Sequence, residues 1–414
     1  MKKSWSSPER LLFLAPLGFM AVAGGVWAWQ QSRPLTIEIP GAEYISNFNF
    51  SPDSQRIVVF ADDERTKFRS GHIYDVRSGS KIVSLAQPSQ RPNTGARSFT
   101  DFRQPFWSPD GSRIVAGYDD QTRGTSQVQF PEAARLKLPP FRSNKVGKMA
   151  IWDARSGKLS GNYLYAPADE ESISFVQFSD DGTQLVGQGV PAALFDAATG
   201  QRTALLKGTF AATKKIAFNG KLGLLAVTNS DGTRFQVFDT KTQKVLWSPR
   251  LAPVRSLLWH DEILAITTDN VSKKGQSHPK NELILWDSQK RVVLPRVSAY
   301  GILQGVNFSP DGRSLIYNLN VVPSNKNEFV VWDYLQNRVL WRYKTQFSMV
   351  WAQWSPDGQW IAASLDARNG APATLLVFDR TGKLCFQPDG VYESHRWSPD
   401  SRSLAAIVQS GGKG

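Results

Sequence analysis

The stretch Trp107-Ser108-Pro109-Asp110-Gly111, followed by Arg113-Ile-Val-Ala-Gly117 and later by Ile151-Trp152-Asp153, decides how this chain is read. Proline presets the turn dihedral, aspartate bonds to the backbone two residues on, and glycine accepts a positive φ. An aromatic residue, a tight turn and a β-branched or small-residue run therefore spell two strands of a hairpin. The same start recurs at Phe50-Ser-Pro-Asp53, Phe178-Ser-Asp-Asp-Gly182, Phe308-Ser-Pro-Asp-Gly312, Trp354-Ser-Pro-Asp-Gly358 and Trp397-Ser-Pro-Asp400, with weaker members at Phe218 and Trp259. Ile151-Trp152-Asp153 is one of seven apolar runs ending in aromatic-Asp, the others closing at Asp75, Asp196, Asp239, Asp287, Asp333 and Asp379. Turn residues follow each, as in Ala154-Arg-Ser-Gly157, and lead into a further strand. Four short strands per unit, repeating every roughly 40 to 50 residues, form the pattern of a β-propeller.

These units resemble the WD40-like and TolB-type propeller repeats, with their Ser-Pro-Asp-Gly turns and terminal Trp-Asp or Phe-Asp pairs. The resemblance spans residues 35–408. The Gly-His pair that opens a standard WD40 repeat is missing, and the chain has four histidines. The Asp-His-Ser/Thr-Trp network of that family is accordingly expected to be absent, and the resemblance implies no specific function. The expected fold is all-β: seven full four-stranded antiparallel blades, with an eighth made by Thr36-Ile-Glu-Ile39 pairing with Ser403-Leu-Ala-Ala-Ile-Val408. Such pairing covers exposed edges and closes the ring. A seven-bladed ring with one irregular unit is the alternative.

Outward from the repeats, residues 1–10 carry Lys2, Lys3 and Arg10 ahead of an uncharged run, 11–29. Nineteen helical residues rise about 28 Å, the thickness of a bilayer core. Trp27 and Trp29 fall where an interfacial aromatic belt lies. The division expected is a cytoplasmic basic tip (1–10), a transmembrane anchor (11–29), a linker (30–34), the propeller (35–408) outside the cytoplasm and a tail (409–414). Ala21-Val-Ala23 also fits a signal-peptidase site, so a cleaved leader is the competing reading.

Lys+Arg 49 against Asp+Glu 36 gives a formal charge of +13. The surface should thus favour anionic partners. The excess is spread along the chain without a finger, sheet signature or recognition helix, which argues against nucleic acid. Cys385 is the single cysteine, so no intrachain disulfide forms, and its apolar neighbours predict a buried, inert thiol. The repeated aspartates occupy equivalent turns and are read as structural. The histidines lack metal-type spacing, and no serine elbow, phosphate loop or dinucleotide fingerprint is present. Neither a catalytic residue nor a cofactor or metal site is assigned.

Function is expected in the insertions, residues 86–100, 119–147, 269–280 and 321–327, which should leave one face of the ring. They bring Arg91, Arg97, Arg123, Arg135, Lys137, Arg142, Lys145, Lys273, Lys274 and Lys280. Residues 130–141 add Phe130, Leu136, Leu138 and Phe141, read either as an apolar anchor framed by bases or as residues that fold back to cover the ring. Long loops on a rigid scaffold are common binding elements. The reading is a membrane-anchored interaction scaffold for acidic or membrane-associated protein. An envelope saccharide- or peptide-processing hydrolase or lyase, and a module binding anionic lipid or wall polymer, are the alternatives.

Overall fold

A computed structural model describes residues 10–14, 35–39, 42–63, 69–88, 101–121, 145–167, 176–187, 192–206, 213–229, 231–270, 280–321, 326–345, 349–365, 374–388 and 391–409. Seven antiparallel blades, each drawn from one continuous stretch, follow one another from Ala42 to Phe386, and an eighth four-stranded sheet joins the two ends of the chain. Blade 1 shows the order: strands Ala42–Phe50, Arg56–Asp63, Arg69–Asp75 and Lys81–Ser84 pair in sequence, so the first is innermost and the last outermost.

The second and third strands of each blade are buried on both faces, which is why they read as continuous apolar runs rather than alternating ones. Period-2 alternation then splits each run between two neighbours. Val58 and Phe60 pack with Ile114, Ala116 and Trp152 of blade 2, while Ile57, Val59 and Ala61 pack with Ile37, Ala405 and Ile407 of the sheet that joins the chain ends. The same arrangement carries around the ring: eight apolar clusters each bridge two adjacent sheets. Hydrophobic burial thus holds blade to blade, and hydrogen bonding holds strand to strand.

The closing sheet differs from expectation in one respect. Its order is Leu35–Glu38, Arg10–Leu14, Leu404–Gln409, Val391–Trp397. Thr36 and Ile37 do not pair directly with the last strand; Arg10–Leu14 stands between, with Leu11 opposite both Ile37 and Ile407. The first four residues of the apolar run 11–29 are therefore strand, and the rest of the run lies outside the described residues. Among the described residues no helix is long and apolar enough to cross a membrane.

Two insertions also begin and end in strand. Gln121 pairs with Lys145 and Asp119 with Gly147, so the second hairpin of blade 2 runs three residues further than its sequence implies. In blade 6 Val321 pairs with Lys326, which narrows the connection to residues 322–325.

Candidate functional site

Strand alternation gives the ring two unlike rims. At one rim lie the turns between first and second strands and between third and fourth strands. At the other the chain passes between second and third strands and from blade to blade.

The first rim is closed by repeated side-chain chemistry. In the turn at 108–113 the fully buried Ser108 donates its hydroxyl to Asp110, and the Arg113 N–H donates to Ser108 Oγ at 2.9 Å. Asp110 also receives the Ser112 N–H at 3.0 Å. Ser51, Ser179, Ser309, Ser355 and Ser398 repeat the hydroxyl-to-aspartate bond. The Ser108 hydroxyl, the Ser112 N–H and the Ser112 hydroxyl hold the Asp110 carboxyl down at about 2. The aspartates of the other turns do the same work: Asp153 receives the Ser156 hydroxyl and N–H, and its pKa is lowered for that reason. The aspartates of the Ser-x-Asp turns and of the aromatic-Asp pairs are thus each tied to their own turn, which leaves these carboxylates as structural groups. Sequence reasoning assigned the turn to proline, aspartate and glycine and missed the serine, whose recurrence directly after each aromatic was the available signal.

The second rim receives the long connections. Residue 88 follows the outermost strand of blade 1, and Gln121 and Lys145 end the middle strands of blade 2. All three points lie at the same rim by strand alternation, as do Asp269 and Lys280 of blade 5 and Val321 and Lys326 of blade 6. Of the expected contact residues, Arg91, Arg97, Arg123, Phe130, Arg135, Lys137, Leu138, Phe141, Arg142, Lys273 and Lys274 lie outside the described residues. Lys145 opens a strand, paired with Gln121.

The histidines are placed one by one. His395 is buried between blade 7 and the closing sheet, its Nδ1 at 2.5 Å from Ser364 Oγ, and burial pushes its pKa down to about 3. It is neutral at any ordinary pH. His72 lies 3.0 Å from both Ser70 Oγ and Ser84 Oγ, and His260 stacks on Phe308. His278 lies outside the described residues. Cys385 is half-buried rather than fully buried; its thiol donates to the Lys383 carbonyl and desolvation raises its pKa. A thiol held protonated is a poor nucleophile. Among the described residues no cluster of His, Cys, Asp and Glu is arranged to hold a metal ion.

Around the central channel the innermost strands are irregular. Register shifts interrupt those of blades 1, 4, 5, 6 and 7 and of the closing sheet. In blade 2 the innermost strand is broken into Asp101–Phe102 and Phe106–Trp107. Bulges re-aim side chains where they occur. Lys215 and Arg255 fall within such shifts, and Arg103 lies in the break of the blade 2 strand; Arg255 pairs with Asp269 at 2.9 Å.

No family model matches this chain, and no curated protein matches it. Solved structures do. The Dos1 propeller superimposes with a TM-score of 0.61 at 14% identity, covering 89% of this chain and 93% of that one. The C-terminal WD40 domain of Sif2 gives 0.57 at 15% identity, covering 89% and 97%. A chain in a mitotic checkpoint complex gives 0.51 at 15% identity, covering 78% and 89%. At such identities the likeness extends to the fold, and the chain is a β-propeller similar in architecture to these three.

Proposed function

We propose that this protein is a non-catalytic interaction scaffold, held at a membrane and facing outward, whose loop-bearing rim engages a protein partner. One observation carries the reading: the ring's two rims are unlike. One is sealed by repeated Ser-Asp turns, and the other receives connections of unequal length from blades 1, 2, 5 and 6. Unequal loops on a rigid frame are positioned without much ordering on binding. The bases of those loops, with Phe130, Leu138 and Phe141, favour an acidic or membrane-associated protein, and anionic lipid or wall polymer by the same charge. A chain of similar fold comes from a mitotic checkpoint complex.

Attachment is proposed through residues 11–29, with Lys2, Lys3 and Arg10 on the cytoplasmic side. This carries a structural consequence. Leu11–Leu14 cannot both pair with Leu404–Ile407 and cross a bilayer, and the remaining run 15–29 rises only about 22 Å as a helix. A span using the whole run therefore leaves the closing sheet without its third strand, so anchoring through all of 11–29 and strand pairing of Arg10–Leu14 are alternative placements of this segment.

Isolation of the tagged full-length protein from membranes in mild detergent tests the reading. A partner protein recovered in fixed proportion is expected. Recovery of the protein from the soluble fraction would remove the anchor, and recovery alone would remove the scaffold.

A further inference from the structure

Each innermost strand places one residue directly before the aromatic that opens its turn, and in all eight sheets this residue occupies the same level of the ring. Seven are neutral, among them Asn49, Asn307 and Gln353; the eighth is Arg396. Several do one job, reaching to the innermost strand of the next sheet. Asn49 Nδ2 donates to the Pro105 carbonyl at 3.1 Å, and Asn307 Oδ1 accepts the Trp354 N–H at 2.9 Å. Arg396 Nε donates to the Phe48 carbonyl at 3.0 Å, across the seam where the chain's two ends meet.

An asparagine performs that bridge without charge, so the guanidinium brings something the bridge does not require. Among the described residues Arg396 engages Phe48 through Nε, its Nη groups have no partner, and no carboxylate lies within ion-pair reach. Partial burial nonetheless lowers its pKa, so the charge is partly desolvated with no counter-ion among the described residues. A cation in that condition is costly unless an anion compensates it. Asn47, the residue before Phe48, is half-buried and its amide makes no hydrogen bond among the described residues, which places a second polar group one residue from the point where Arg396 is anchored.

We infer that the two Nη groups of Arg396 form a binding site for one small oxyanion, a carboxylate or a phosphate, at the channel side of the seam between the closing sheet and blade 1. The planar fork of a guanidinium matches two oxygens of either group. Because the ligand would bridge the sheet made from both chain ends to blade 1, its binding stabilises ring closure. The inference is independent of the loop-bearing rim and of the membrane anchor.

Thermal unfolding of the full chain tests it, in sodium phosphate, sodium acetate and sodium chloride at matched ionic strength. Phosphate, acetate or both raise the wild-type Tm by about 1 to 3 °C over chloride, as expected for a ligand specific to the folded state. Arg396→Gln, which keeps a donor for the Phe48 carbonyl, loses the increment. Should Arg396→Gln fail to fold, Arg396→Lys retains the charge without the fork and weakens anion affinity about tenfold by calorimetric titration. A response to phosphate alone assigns the site to phosphate-type groups, and a response to acetate as well assigns it to oxyanions generally. No increment in the wild type, or an equal one in Arg396→Gln, overturns the inference, since a basic surface would then account for any binding.

Discussion

The tryptophans that open the turns divide into those that bond across the seam and one that does not. Trp107 Nε1 donates to the Asn49 carbonyl, Trp259 to Ala217 and Trp397 to Gln353, each reaching back to the preceding blade. Trp354 Nε1 is buried without an acceptor. Replacing each by phenylalanine removes similar volume and keeps an aromatic face, which at Trp107 lies 4.8 Å under the Arg56 guanidinium, so the comparison bears chiefly on the bond. Trp107→Phe is expected to cost about 1 kcal/mol more than Trp354→Phe in urea unfolding; equal costs would show that these indoles act by packing alone. The turn carboxylates set a second expectation. Asp110 is held near 2 in the fold, below its unfolded value, so its contribution is complete above about pH 4 and is lost as pH falls through the folded pKa. Asp153, Asp181 and Asp196 shift in the same direction. The Tm is expected to be level through neutral pH and to fall below about pH 4, less steeply in Asp110→Asn. A fall centred near pH 6 would point to other groups.

Between elements, the outermost strand of one blade seats against a turn of the next. At Gly157, φ is +68° and an added Cβ would meet the Ser84 carbonyl oxygen at 2.3 Å. Strain and collision with backbone act together, so Gly157→Ala is expected to cost about 1 to 3 kcal/mol by urea midpoint. A neutral result would mean that this contact is not maintained. The closing sheet supplies the sharper contrast. Removing residues 1–9 is expected to leave the Tm unchanged, whereas removing 1–33 also takes Arg10–Leu14, lowers the Tm and speeds amide exchange in Leu404–Gln409. Equal behaviour of the two truncations would show that Arg10–Leu14 adds nothing to the sheet. Sequence alone disclosed the repeats because aromatic, turn and apolar positions recur at fixed offsets, as at Trp107, Asp110 and Trp152. It did not disclose Arg10–Leu14 as strand, because an uncharged run has no period by which a buried strand can be told from a membrane span. The seam at Arg396 was equally hidden, since its significance depends on residues nearly the whole chain apart.

For the whole molecule, the ring separates two tasks. One rim and the blade interfaces are spent on stability, with the turn carboxylates bonded locally and apolar groups shared between neighbours. The other rim carries connections of unequal length, which is where function was expected from sequence; strand alternation places the ends of residues 86–100 and 122–144 there together. The charge of +13 implies that partner binding weakens with added salt. The most direct test is paired capture experiments from membranes with two altered proteins. One has residues 122–144 replaced by a short turn; the other carries Arg155→Glu and Arg313→Glu on the sealed rim. The account predicts that the first loses its co-purifying protein while the second retains it. Retention by the first, or loss only by the second, would contradict it.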